Sequence, residues 1–271
     1  MDHVFYFSDR WNPERGKEAL MNQPMVVCVC LTKDRPEMLR RAVACFKAQT
    51  YPRKRMLIWD TSHELERSHQ VASGDVVHVF TDPRSGASIG ALRNDANSFW
   101  AEYDLIAHFD DDDLSHSRRL EEQVQLLQKN SADVVGYSDM LFWREPRVSA
   151  GDTSGCALCG TMPCVCDGEA WLYLGPQKAL GTSLLYRRQA WERTPFPDQP
   201  RPGFATGEES TWLKSQLLVT ESSFVTARHP RMIASIHGGN TSGSYKLIGS
   251  APESWRRVPE FDDYCRERMN L

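Results

Sequence analysis

Four consecutive aspartates, Asp110, Asp111, Asp112 and Asp113, close the segment "LIAHFDDDDLSHS" (105–117). Like charges at that spacing repel, and a divalent cation relieves the repulsion. Hard oxygen donors suit Mg²⁺ or Mn²⁺, which commonly bridge one or two carboxylates to the phosphates of a substrate. A solvated acidic turn is the plain alternative, but the apolar run before the aspartates reads as a buried strand that delivers them to a sheet edge. The expected chemistry is therefore a metal-bound diphosphate. Other polar residues fall at the ends of neighbouring strands: Thr32, Asp60, and Arg93 within "IGALRNDA". A strand-terminal aspartate can hold the polar edge of a base or sugar, and an arginine can hold part of a nucleotide. Read singly, Asp60 is equally a turn cap and Arg93 a surface cation.

The elements that must position these residues follow from periodicity. "MVVCVCL" (25–31) is a continuous valine-rich run of the kind buried on both faces of a parallel sheet. Pro36 suits a first helical turn, and Leu39, Ala42, Val43 and Phe46 recur at helical spacing. "RMLIWD" (55–60), "VVHVFT" (76–81), "DLIAHF" (104–109) and "DVVGYS" (133–138) read as further strands. Between them, helices are marked by Ile89, Leu92, Ala96 and Phe99, and by Leu120, Val124 and Leu127. Alternating strands and helices predict an α/β fold with an open, mostly parallel sheet flanked by helices, whose ligands bind at the carboxyl ends of the strands.

From about residue 140 the rhythm changes to Gly, Pro, Cys and Trp, with short strands expected at 170–174, 182–187 and 223–229. The reading divides the chain into an N-terminal extension (1–23), a ligand-binding half (24–140), an acceptor-side half (141–251) and a C-terminal helix (252–271).

The composition is that of a globular protein: 271 residues, 41% hydrophobic, and a formal net charge of -4. That charge gives no general attraction to nucleic acid or anionic lipid. No window reaches the ~18 apolar residues of a membrane span, so a soluble cytoplasmic protein is expected. No G-x-G-x-x-G follows an early strand, which argues against a dinucleotide oxidoreductase.

Of the eight cysteines, Cys28, Cys30, Cys45 and Cys265 sit in apolar or helical patterns and read as small hydrophobes. Cys156, Cys159, Cys164 and Cys166 instead form C-x2-C-x4-C-x-C. Four thiolates can close a tetrahedral structural Zn²⁺ site, although the central spacing is shorter than in common zinc ribbons. Two disulfides are the alternative, disfavoured in a cytosolic chain.

Taken together, "PMVVCVCLTKDRPEMLRRAVACFKAQTYP", "LIWDTS", "IGALRNDA", "LIAHFDDDDL", "GEESTWL" and "IHGGNTS" resemble glycosyltransferase family 2, the inverting nucleotide-sugar enzymes of GT-A fold, over residues 24–242. The resemblance implies transfer of a sugar from a nucleotide donor, UDP-linked, to a hydroxyl acceptor. By that resemblance Asp60 contacts the nucleobase, Asp112 is the direct metal ligand, and Asp110 lies nearer the ribose and the metal's waters. Asp113 orients that shell, and Asp111 is left as the member expected to tolerate replacement.

The family takes its general base from an acidic pair, matched here by Glu208 and Glu209. Glu209 stands where the family usually has Asp, a departure that lengthens the side chain by one methylene and leaves Glu208 as the alternative base. Two acids beginning a helix also simply complement its dipole. His237 resembles the late histidine that many GT-A enzymes give to metal or diphosphate, and a histidine in such a place is also often only hydrogen-bonded structure. The acceptor is left open among glycan, protein, small molecule and modified nucleic-acid base. "YRRQAWER" and "ESWRRVPE" interleave arginines with aromatics, either to stack sugars or bases or as surface packing. A noncatalytic binding protein with a degenerate GT-A fold, favoured by Glu209, and a sugar-phosphate nucleotidyltransferase are the competing readings.

Overall fold

The computed structural model describes residues 22–63, 73–82, 87–145, 168–174, 179–198, 212–224, 230–237 and 254–269. Its first half is built on four parallel strands. β1 (Val26–Thr32) lies between β2 (Lys54–Asp60) and β4 (Leu105–His108), and β3 (Val76–Phe80) extends the sheet beyond β2. Because β1 is paired on both edges and covered on both faces, nearly every residue of VVCVCLT is buried, which is why its sequence is apolar without alternation.

Alternate residues of β1 feed two cores. Val26, Cys28 and Cys30 pack with Leu39 and Phe46 of α1 (Pro36–Lys47) and with Leu120, Val124 and Leu127 of α3 (Arg119–Lys129). Val27 and Val29 face the opposite layer, with Ala96 of α2 (Ile89–Ser98), Ala190 and Trp191 of α4 (Arg188–Arg193), Tyr186, Phe196 and Trp212. Burial pushes the Cys28 thiol up to about 12, so the β1 cysteines act as inert apolar filling.

The second half is organised by one long strand, β6 (Val134–Arg144). Its start pairs antiparallel with β8 (Leu185–Arg187), which connects to β4, and parallel with β9 (Leu218–Ser222). Its end pairs antiparallel with β7 (Glu169–Tyr173) and parallel with β10 (Met232–Ile236). The two-residue β5 (Leu114–Ser115), directly after the aspartates, pairs with β10, and β11 (Trp255–Arg257) closes the edge on β7. The parallel expectation therefore holds for the ligand-binding strands, while the later strands form a mixed sheet. Gly136 permits the β6 crossing: a Cβ there would lie 2.6 Å from Ala179 Cβ.

Two sequence expectations are corrected. The strand expected at 182–187 is shorter, because Gly181–Ser183 forms a 3₁₀ turn in which Ser183 Oγ donates to the Leu180 carbonyl at 2.7 Å. A strand not expected from the sequence, Leu218–Ser222, pairs parallel with β6, while most of the strand expected at 223–229 lies outside the described residues, at 225–229. The helix expected over 252–269 is confined to α5 (Asp262–Met269). Trp255 is drawn into β11 by packing on Phe142 and Tyr173, with ring centroids 4.9 and 4.8 Å away, and Pro259 then starts a new turn. In the arginine–aromatic segments, Arg188 lies 4.9 Å over Tyr103 and the Trp191 indole donates to Asn94 Oδ1 at 2.8 Å, so these groups are used internally.

Candidate active site

The carboxyl ends of β1, β2 and β4 bring Thr32, Asp60 and the aspartate run to one edge. Thr32 pairs in register with Asp60, and the Thr61 N–H donates to the Thr32 carbonyl at 3.0 Å. The loops are laced together by Asp34, whose left-handed backbone (φ 54) turns its N–H onto Ser62 Oγ at 2.7 Å. That turn sets Arg35 at the start of α1, facing the aspartates.

The four carboxylates have four different environments. Asp110 accepts from Arg93 Nη2 at 3.2 Å. Burial opposes its ionisation, but Arg93, His108 and hydrogen bonds from Thr182 and Arg93 outweigh it and hold the carboxyl below its ordinary value. Asp111 is buried, accepts from Thr32 Oγ1 at 2.7 Å and from Arg35 Nη1 at 3.1 Å, and is pushed up to about 6 by burial and by the Asp112 charge. Asp112 is partly open: it receives Arg35 Nη1 at 3.3 Å and lies 3.1 Å from His237 Nε2. Asp113 is buried, accepts from the Thr182 hydroxyl and, at 3.3 Å, from the Ser235 N–H. Burial, then the charges of Asp112 and Asp110, raise its carboxyl well above the usual range.

Asp113 thereby holds β10 to the acidic loop, and His237, two residues after Ser235, meets Asp112. This pairing of residues 125 positions apart is the main feature of the site. It brings together two of the three residues expected at a cation; Asp110, the third, is directed to Arg93. Thr32, expected at the ligand, spends its hydroxyl on Asp111. Asp60 is buried, with Oδ1 accepting from the Ser62 N–H at 2.7 Å and Oδ2 lying 2.8 Å from His78 Nε2.

Against the expectation that Asp111 tolerates replacement stand its two partners, Thr32 and Arg35. Asp111→Ala strands the Thr32 hydroxyl and leaves Arg35 with Asp112 as its carboxylate partner, and is expected to cost about 2 kcal/mol of stability, read by denaturant unfolding, whereas Asp111→Asn recovers much of it. Glu208, Glu209 and the four cysteines Cys156, Cys159, Cys164 and Cys166 lie outside the described residues, as do Asn240, Thr241 and Ser242. Trp212, three positions after Glu209, is buried against Tyr186 and Phe196, with ring centroids 5.0 and 4.8 Å away.

Several supporting residues carry weak sequence signals. Arg119 is fully buried beneath the acidic loop and donates to Ser115 Oγ and the His108 carbonyl at 2.9 Å, to Gln123 Oε1 at 3.1 Å and to the Thr182 carbonyl at 3.2 Å. His108 is kept well below its ordinary value by burial and by the Arg93 charge. As a neutral ring it donates from Nδ1 to the Gly181 carbonyl at 2.7 Å. The available hints were a polar residue inside an apolar strand (His78, His108) and a cation at a strand–helix junction (Arg35).

Among the described residues, no group of three or more His, Cys, Asp or Glu side chains is placed to hold a metal by itself. One carboxylate and one imidazole nevertheless fit the sparse protein ligation of Mg²⁺ or Mn²⁺, which fill their remaining positions with water and phosphate oxygens. No helix among the described residues is long and apolar enough to cross a membrane.

Residues 26–142 match the model for glycosyl transferase family 2. The search of curated proteins finds no match. Among solved structures, that of S. aureus TarS is similar at 16% identity and TM-score 0.50, covering 78% of this chain and 37% of that one. TarS 1–349 in complex with UDP-GlcNAc gives 13% identity and TM-score 0.51, over 80% of this chain and 60% of that one. Mannosyltransferase PcManGT from Pyrobaculum calidifontis, in complex with GDP-Man and Mn²⁺, gives 12% identity and TM-score 0.53, over 93% and 71%. At such identities the likeness establishes the shared fold. The chain spans well under two thirds of the TarS structure.

Proposed function

From residues 26–142 as a glycosyl transferase family 2 region, we propose that this protein moves a sugar from a nucleotide-sugar donor, UDP-linked, to an acceptor hydroxyl with inversion at the anomeric carbon. The observation that carries this reading is the meeting of Asp112 and His237 at 3.1 Å on the carboxyl edge of the parallel strands. The donor half is assigned to 24–140 and the acceptor side to 141–251.

In the proposed reaction the acceptor oxygen bonds to the anomeric carbon as the bond from that carbon to the diphosphate oxygen breaks, and the hydroxyl proton passes to Glu209. Asp112 and His237 would hold a Mg²⁺ or Mn²⁺ ion that neutralises the charge developing on the leaving diphosphate. Arg93 keeps Asp110 ionised at the donor side. Arg35, bonded to both Asp111 and Asp112, fixes the loop geometry and adds positive charge where the diphosphate is to sit.

The test is release of nucleoside diphosphate from a panel of UDP- and GDP-sugars with Mn²⁺ and an acceptor mixture. Glu209→Gln is expected to lower turnover by roughly 10²–10⁴-fold, the range for losing a general base, with Glu208→Gln milder. Full turnover in both variants would remove the base assignment, and no release from any donor would favour the noncatalytic reading.

A further inference from the structure

The donor reading places a nucleobase at Asp60 but gives no role to His78, the buried imidazole behind it. His78 is on β3, one strand outward, and its side chain is 1% exposed. Its Nε2 lies 2.8 Å from Asp60 Oδ2, and its ring stacks on Phe80 with centroids 4.3 Å apart and planes inclined by 26°. Asp60 Oδ1 is held from the other side by the Ser62 N–H at 2.7 Å, and Ser62 Oγ is itself held by the Asp34 N–H at 2.7 Å. The carboxylate is thus clamped at both oxygens, by His78 of β3 and by the loop that follows β2.

The clamp fixes protons as well as position. Burial opposes ionisation of Asp60, but the hydrogen bonds from His78 and Ser62 outweigh it and keep the carboxyl below its ordinary value. An ionised carboxylate only accepts hydrogen bonds, so the ring nitrogen facing it must carry the proton. Each Asp60 oxygen is left with acceptor capacity and no donor capacity. A base meeting it must present a donor. At the ring nitrogen of the pairing edge uracil and guanine offer an N–H, whereas cytosine and adenine offer a lone pair there and could meet the carboxylate only by shifting to an exocyclic amine.

We propose that His78 is a positioning residue that holds Asp60 as an oriented, acceptor-only carboxylate and thereby selects donors whose base carries a ring N–H, uracil or guanine, over cytosine and adenine. The proposal rests on the assignment of Asp60 to the base. His78 itself does not touch the donor. It acts by removing the carboxylate's freedom to rotate and to take up a proton.

The test is calorimetric binding of UDP, GDP, CDP, ADP and inorganic diphosphate, each with Mn²⁺, to the wild-type protein and to His78→Gln, His78→Asn and His78→Leu. The Gln amide reaches Asp60 much as Nε2 does; the Asn amide falls short, and Leu cannot donate. Wild type is expected to favour UDP or GDP over CDP and ADP. His78→Leu and His78→Asn are expected to weaken the preferred nucleotide about tenfold, the worth of one hydrogen bond to a charged group. Inorganic diphosphate should bind unchanged, and His78→Gln should stay within about threefold of wild type. In turnover the loss should fall on KM and spare kcat. If His78→Leu does not fold, His78→Asn carries the comparison. Unchanged nucleotide binding in both loss variants, an equal loss for diphosphate, or a wild-type preference for CDP or ADP would overturn the proposal. Asp60→Asn separates the two levels: if it erases base preference while the His78 variants do not, only the role of His78 fails, and if it too has no effect, the base-site assignment fails with it.

Discussion

Asp112→Ala should abolish sugar transfer while leaving the fold intact. The loss is expected to be about 10³-fold or more, since charge neutralisation by a bound divalent ion contributes several kcal/mol to a leaving diphosphate and each 1.4 kcal/mol is tenfold in rate. Stability should move differently. Asp112 is the member of the run whose removal lifts charge from its neighbours: its negative charge contributes to the upward push on both Asp111 and Asp113. Its own partners, Arg35 and His237, are partly exposed groups whose ion pairs are worth little by themselves. Unfolding midpoints are therefore expected within about 1 kcal/mol of wild type, on either side. A large fall in stability would show Asp112 to be a structural residue, and retained turnover would remove it from the chemistry.

Arg119→Met should have the opposite profile. The guanidinium is inaccessible to water and donates to four separate acceptors, two of them the main-chain carbonyls of His108 and Thr182, which flank the acidic loop. It also lies 5.6 Å over the Phe109 ring, and its charge acts on Asp113 and Asp110. Removing it leaves buried acceptors unpaired and withdraws a positive charge that acts on two buried carboxyl groups, at a cost of about 3–5 kcal/mol. A domain of this size should then lose on the order of 10 °C in Tm. Arg119→Lys should rescue little, because an ammonium cannot span acceptors arranged around a planar fork. Thermal unfolding checks both variants; a change under 1 kcal/mol for Met would contradict the reading of Arg119 as the keystone of the loop.

The first half of the sheet was legible because its physics is local. A strand buried on both faces must be apolar throughout, so β1 could be read from VVCVCLT alone, and α1 from Pro36 with the Leu39, Ala42, Val43 and Phe46 stripe. Asp112 was singled out by family resemblance, not by any local pattern, and the structure brings His237 to it through β5 and β10. What sequence does not reveal is which charged residue becomes buried. Arg119 and His78 look like ordinary polar residues until strands distant in the chain close over them. The partners of Asp111 were hidden for the same reason: Thr32 and Arg35 lie 79 and 76 positions away. The later strands were placed less well because β9 and β10 take their register from successive stretches of β6, and no local pattern encodes that partner.

The role proposed for Asp112 and His237 is that of a cation-dependent diphosphate site. Calorimetric titration of UDP into the protein with Mn²⁺ and then with excess chelator tests it most directly. Tight binding that requires Mn²⁺ in the wild type and is lost in both Asp112→Ala and His237→Ala is the predicted result; UDP binding of equal strength with chelator, or unchanged by either substitution, would contradict it.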